Sequence, residues 1–88
     1  MAKKKQHGEF LVIECSASEM YTAVGSPGIC DMCGCYPARG YYVAALNQWI
    51  CESCFNEFIS NAVFYPEDAD VQRRNFDFYS HRFGIKCQ

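Results

Sequence analysis

No stretch of this chain approaches the roughly 20 consecutive apolar residues that a membrane-spanning helix needs. The opening run Met1-Ala2-Lys3-Lys4-Lys5-Gln6-His7 leads into no long apolar segment of the kind found in secretory leaders. A helical membrane protein is therefore excluded, and the cytoplasm is the expected compartment. Glycine-rich phosphate loops are also missing. There are only two histidines, His7 and His81. Neither has the neighbouring nucleophile or carboxylate that would suggest a catalytic pair, so no enzymatic activity is expected. Internal repeats and low-complexity segments are absent. Basic charge is in short supply too: the formal net charge is −2, and the three lysines of Lys3–Lys5 mask −5 on the remainder. Such a body is a poor partner for phosphate.

What the chain has in quantity is rings and thiols. Seven Phe, six Tyr and one Trp in 88 residues allow a small core built largely from aromatic side chains. A single domain of this size buries a limited fraction of its surface and often needs a staple. The seven cysteines are an odd number, which with the absence of a leader argues against a secreted disulfide scaffold.

Four of those cysteines form two C-x2-C pairs, Cys30-Asp31-Met32-Cys33 and Cys51-Glu52-Ser53-Cys54, with 17 residues between them. A two-residue spacer lets both sulfurs of a pair face one ion, and a second pair completes a tetrahedral shell. The expected ligands are Cys30, Cys33, Cys51 and Cys54 around one Zn2+. Four protein ligands leave no open position, so the site reads as structural rather than catalytic. It would contribute on the order of 10 kcal/mol or more to folding. Taken alone, either pair could instead be a redox dithiol. With four thiolates and the dication included, the folded body carries about −7.

The flanks of the two pairs differ. Gly34 follows the first pair and permits a positive φ there, turning backbone amides toward the sulfurs in a zinc knuckle. The second pair runs into Phe55-Asn56-Glu57-Phe58-Ile59, a helical pattern that places Cys51 and Cys54 on a helix's first turn, where free N–H groups favour thiolates. Between the pairs, Tyr41–Val43 and Trp49-Ile50 have strand character, with Asn47-Gln48 as a turn. This order of knuckle, hairpin and helix resembles the treble-clef zinc-finger group over about residues 28–64. The resemblance implies that the two pairs hold one structural zinc. It implies little about role, because the group includes nucleic-acid binders, protein-interaction modules and a few enzymes. A rubredoxin-type iron site resembles two glycine-bearing knuckles, and only one is present here.

The rest of the chain is expected to flank that core. Residues 1–8 read as a flexible basic arm, and 9–88 as a single zinc-binding domain. Glu9–Cys15 is a strand with apolar residues on both alternating sets, which implies cover on both faces. Ser16 to Glu19 turns the chain, and Met20–Val24 is expected to return as a second strand. Gly25-Ser26-Pro27-Gly28 is a breaker. Phe55, Phe58, Ile59, Ala62 and Val63 make one apolar helical stripe, stopped near Pro66. Glu67–Phe83 is expected to be a last helix with Phe76, Tyr79 and Phe83 on one face and Gly84-Ile85 as its cap; Asn75–Phe78 also alternates as a strand would. The fold class is thus α+β: a treble-clef-like unit with an N-terminal strand pair and a C-terminal helix.

Among the remaining candidates, Cys35 is expected to be a small packed thiol, with a competing or alternative ligand role as the other reading. Cys15 and Cys87 could meet Cys35 or His81 in a second metal site, but their spacing does not announce one. Arg73 and Arg74 beside Phe76, Phe78 and Tyr79 combine charge with stacking groups, yet Asp68, Asp70 and Asp77 dilute them. The expected function is a protein-interaction module with a protein partner. The alternatives are a nucleic-acid-binding zinc finger, disfavoured by the acidic body, and a thiol redox or metal-handling protein.

Overall fold

The computed structural model describes residues 2–25 and 28–84. Among them, strands β1 (Lys3–His7), β2 (Phe10–Ser16), β3 (Arg39–Val43) and β4 (Gln48–Cys51) form one antiparallel sheet in the order β1-β2-β3-β4. Helices α1 (Ala17–Val24), α2 (Glu52–Asn61) and α3 (Ala69–Arg82) pack on it, the last preceded by a 3-10 turn at Pro66–Asp68. The α+β class is as expected.

Strand β2 is the spine of the sheet, and its sequence explains why. Alternate residues point to opposite faces, and apolar side chains occupy both sets. Val12, Val43, Ile50 and Phe55 pack on the α2 side together with Cys30 and Cys51. Ile13, Cys15, Tyr42 and Trp49 pack on the other side with Met20 of α1 and Phe76 of α3. Stacked rings reinforce both layers: Tyr41 lies 4.1 Å from Phe55, and Tyr42 lies 3.9 Å from Tyr79, centroid to centroid.

Three local expectations are corrected. Residues 3–7 are not a loose arm. They pair with β2 from Lys3↔Glu14 to His7↔Phe10, closing a two-residue turn in which Gly8 adopts φ +62°. The lysines suit an edge strand: Lys5 Nζ is 2.9 Å from the Glu14 carboxylate, and the Lys4 ammonium sits 5.9 Å above the Phe76 ring. The N-terminal strand pair is therefore β1 with β2. Met20–Val24 is helical, because Ser16 and Glu19 form a capping box. The Glu19 N–H donates to Ser16 Oγ at 3.1 Å, and the Ser16 N–H donates to the Glu19 carboxylate at 2.8 Å. Gly25, at φ +74°, ends that helix; Ser26 and Pro27 of the expected breaker lie outside the described residues. The hairpin turn is Ala44–Asn47 rather than Asn47-Gln48. Asn47 sits at φ +55° and its side-chain oxygen accepts from the Tyr42 hydroxyl at 2.7 Å.

Helix α2 buries Phe55 and packs the partly buried Phe58 and Ile59 against the same core, as expected, but stops at Asn61, leaving Val63 exposed. Helix α3 turns Phe76, Tyr79 and Phe83 inward, and Asn75–Phe78 is helix, not strand. Gly84 follows it at φ +73°, while Ile85 of the expected cap lies outside the described residues. Buried Gln72 ties α3 to the sheet: its Oε1 accepts from the Leu11 N–H at 2.8 Å, and its Nε2 donates to the Glu9 carbonyl at 3.1 Å.

Candidate metal centre

The centre is assembled from the loop before β3 and the junction of β4 with α2. After Cys30 the chain turns through Asp31–Cys33, and Gly34 adopts φ +77°. The Gly34 N–H donates to the Cys30 carbonyl and the Cys30 N–H to the Cys35 carbonyl, both at 2.9 Å. This turn aims the Cys33 N–H at Cys30 Sγ, 3.4 Å away. Cys51 is the N-cap of α2, with extended φ/ψ, and Cys54 lies in the first helical turn. The Cys51 N–H also donates to Cys30 Sγ, at 3.3 Å. The knuckle and helix-start positions expected from sequence are those observed.

One residue at the site had no signal in the sequence. Asp31 fastens the knuckle to the outer edge of β4: its carboxylate accepts from the Trp49 N–H at 3.0 Å, and its own N–H donates to the Trp49 carbonyl at 3.0 Å. With the Cys51 N–H directed at Cys30, three backbone groups along this sheet edge are capped by the knuckle. An unpaired edge is a liability, so the loop that presents two of the cysteines also protects the sheet. An acid between two cysteines reads from sequence as a spacer.

The Sγ atoms of Cys30, Cys33, Cys51 and Cys54 all lie within 4.8 Å of one another. A tetrahedron with Zn–S of about 2.3 Å has S···S edges of about 3.8 Å, and Cys33 Sγ is 3.8 Å from Cys51 Sγ. The donor set therefore fits a metal ion. Burial opposes ionisation of Cys30, but the amides of Cys33, Cys51 and Met32 outweigh it and bring the thiol down to about 6. Cys33 is also lowered, chiefly by the Cys35 backbone N–H. Cys54 is pushed well up, first by its contact with Cys51 and then by burial and Cys33.

The other sequence candidates fall outside this group of four. Cys35 is exposed, correcting the packed-thiol expectation, and its Sγ lies 3.3 Å from Cys33 Sγ. The two residues flank Gly34, whose positive φ curls their side chains together. Cys15 is fully buried on the opposite face of the sheet; burial holds its thiol up to about 12, with partial relief from the Trp49 side chain. Cys87 lies outside the described residues. His7 packs edge-on against Phe55 at 5.0 Å, whereas His81, Arg73 and Arg74 are exposed on α3. A cleft of about 500 Å3 opens beside the centre, lined by Met32, Cys33, Cys54, Glu57, Phe58 and Asn61 among others. No described helix is long and apolar enough to cross a membrane. Comparison with protein-family models, curated proteins and solved structures finds no match to this chain.

Proposed function

We propose that Cys30, Cys33, Cys51 and Cys54 hold one structural zinc ion in a treble-clef arrangement, and that the domain is a non-enzymatic module for binding a protein partner. The observation that carries the metal reading is the gathering of four thiols from two distant segments within 4.8 Å. Their all-sulfur donor set suits Zn2+ and fills its tetrahedral shell, leaving no position for substrate. The order of knuckle, β3–β4 hairpin and α2 supports the treble-clef reading. The protein-partner reading is supported by exposed apolar side chains: Met32, 47% exposed, lines the cleft, and Tyr36, which follows Cys35 in the chain, is 80% exposed. Nucleic acid is the weaker reading because the lysine run is engaged within the sheet, Lys5 with Glu14 and Lys4 over Phe76.

Elemental analysis of protein expressed without added metal tests the first part, paired with thiol counting before and after chelation. About one zinc per chain is expected, with four thiols becoming reactive when it is removed. No bound zinc, or four thiols already reactive in its presence, would refute the reading. A photo-crosslinking residue at position 36 tests the second part. It is expected to capture one protein saturably, whereas the same probe at Ser60 captures none. Salt-dependent retention of DNA or RNA by the zinc-loaded protein would overturn the partner class.

A further inference from the structure

Of the six described cysteines, two are exposed, Cys33 and Cys35. They are also the pair whose sulfurs stand 3.3 Å apart. One belongs to the group of four that can hold a metal and the other does not. We propose that Cys33 and Cys35 form an oxidation site for hydroperoxides, whose product, a Cys33–Cys35 disulfide, opens the metal centre. This inference rests on the zinc reading given above.

The geometry is suited to the step. A disulfide requires an S–S distance of about 2.0 Å, so the sulfurs need close by only roughly 1.3 Å. Gly34 has already bent the chain between them, and no atom beyond its two chain neighbours lies within 4 Å of where its side chain would be. Both thiols face solvent, so a small hydroperoxide reaches them without unfolding. In the reaction, the Cys33 thiolate attacks one peroxide oxygen. The O–O bond breaks, and the sulfenic acid and hydroxide (alkoxide for an organic hydroperoxide) are formed. The Cys35 thiol then displaces the sulfenic oxygen as water, forming the S–S bond. Two electrons pass from the two sulfurs to the peroxide. Cys33 ceases to be an anionic donor, and the three remaining sulfurs no longer complete a tetrahedral shell. Reduction by a dithiol restores both thiols and the site.

The test uses the full chain loaded with zinc. Hydrogen peroxide is added in the presence of a chromogenic zinc indicator, and the protein is then digested with trypsin and a protease cutting before aspartate. The fragment Asp31–Arg39 carries Cys33 and Cys35 as its sole cysteines. Zinc release is expected to accompany a loss of about 2 Da from that fragment, with both reversed by dithiothreitol and added zinc. In Cys35→Ser, release is expected to slow by about tenfold. Release from Cys35→Ser at the parental rate would overturn the proposal, as would oxidation joining Cys33 to Cys30 or Cys54. A Cys35→Ser or Cys35→Ala protein purified without zinc would overturn it too, by making Cys35 a ligand. A parent protein that binds no zinc at the outset refutes the zinc reading itself, an outcome distinct from all of these.

Discussion

Replacing Gly40 by alanine tests whether the sheet and the metal centre are as tightly joined as the packing implies. Gly40 lies in β3 between Cys15 of β2 and Cys51 of β4. A β-carbon at this position would fall 2.6 Å from the Ile50 carbonyl oxygen and 2.7 Å from two carbons of the Trp49 indole. Neither neighbour yields easily, since one is backbone and the other is a ring only 2% exposed. Ordinary contact lies near 3.5 Å, so β4 must move away by most of an ångström. Overpacking of this kind costs about 1–3 kcal/mol, and the backbone clash places Gly40→Ala at the upper end. In a domain of this length each kcal/mol lowers Tm by roughly 4–8 °C, which gives a fall of about 12–24 °C. Gly34 provides the contrast. Beyond its chain neighbours nothing lies within 4 Å of its would-be side chain, but its φ is +77°, so alanine there costs about 1–2 kcal/mol through backbone conformation alone. Asparagine tolerates that conformation, so Gly34→Asn is expected to recover most of the loss and Gly40→Asn none. Thermal melts followed by circular dichroism at fixed zinc, with zinc per chain measured on each variant, decide the matter. A Gly40→Ala protein melting within about 3 °C of the parent would refute the reasoning, as would rescue by asparagine at position 40.

Two further predictions concern the face opposite the centre. Gln72→Leu removes the acceptor of the Leu11 N–H and is expected to cost about 1–3 kcal/mol, with accelerated hydrogen exchange at the Leu11 amide; exchange unchanged at that amide would count against the role given to Gln72. Cys15 carries a thiol raised by burial from 9.0 to about 12. A folded value above the unfolded one gives stability that is full below about 9 and is lost as pH rises toward about 12. The stability advantage of the parent over Cys15→Ala, measured by urea unfolding, should therefore narrow steadily above pH 9; a constant gap would show that Cys15 does not titrate with unfolding.

How much of this was legible in the sequence depended on whether the signal was local. The two C-x2-C pairs, Gly34 after the first pair and the apolar stripe from Phe55 each declare themselves within a few residues; the structure gathers the four thiols and packs Phe55, Phe58 and Ile59, whereas Ala62 and Val63 fall beyond the helix. Strand β2 announced its cover on both faces because both alternating sets are apolar. Strand β1 was hidden because its lysines look solvated by composition, yet edge pairing needs only backbone and a Gly8 turn. Helix α1 did carry a local signal, the Ser16–Glu19 capping box, which outweighs the strand propensity of Tyr21, Thr22 and Val24. Asp31 and Gln72 had none: their partners lie 18 and 61 residues away, and one polar side chain in a sequence does not indicate which distant amide it will satisfy.

The position of the centre explains why an ion there would act on the whole domain. Cys30 and Cys33 sit on the loop that caps the open edge of β4, whereas Cys51 and Cys54 sit where β4 passes into α2. An ion joining the pairs would therefore fix the edge cover, the last strand and the helix of the α2-side core in a single step. Four thiolates this close repel one another, so sulfurs that lack a cation favour keeping protons; at Cys54 the contact with Cys51, and then burial, raises the thiol. A dication would replace those protons with attraction, so metal binding and folding would reinforce each other and both would weaken in acid. Loss of the ion would release the knuckle, and with it the cover over the Trp49 and Cys51 backbone groups. The consequence would be an exposed strand edge next to Trp49, whose ring belongs to the core on the other face, so disruption at the centre would reach both layers of the domain.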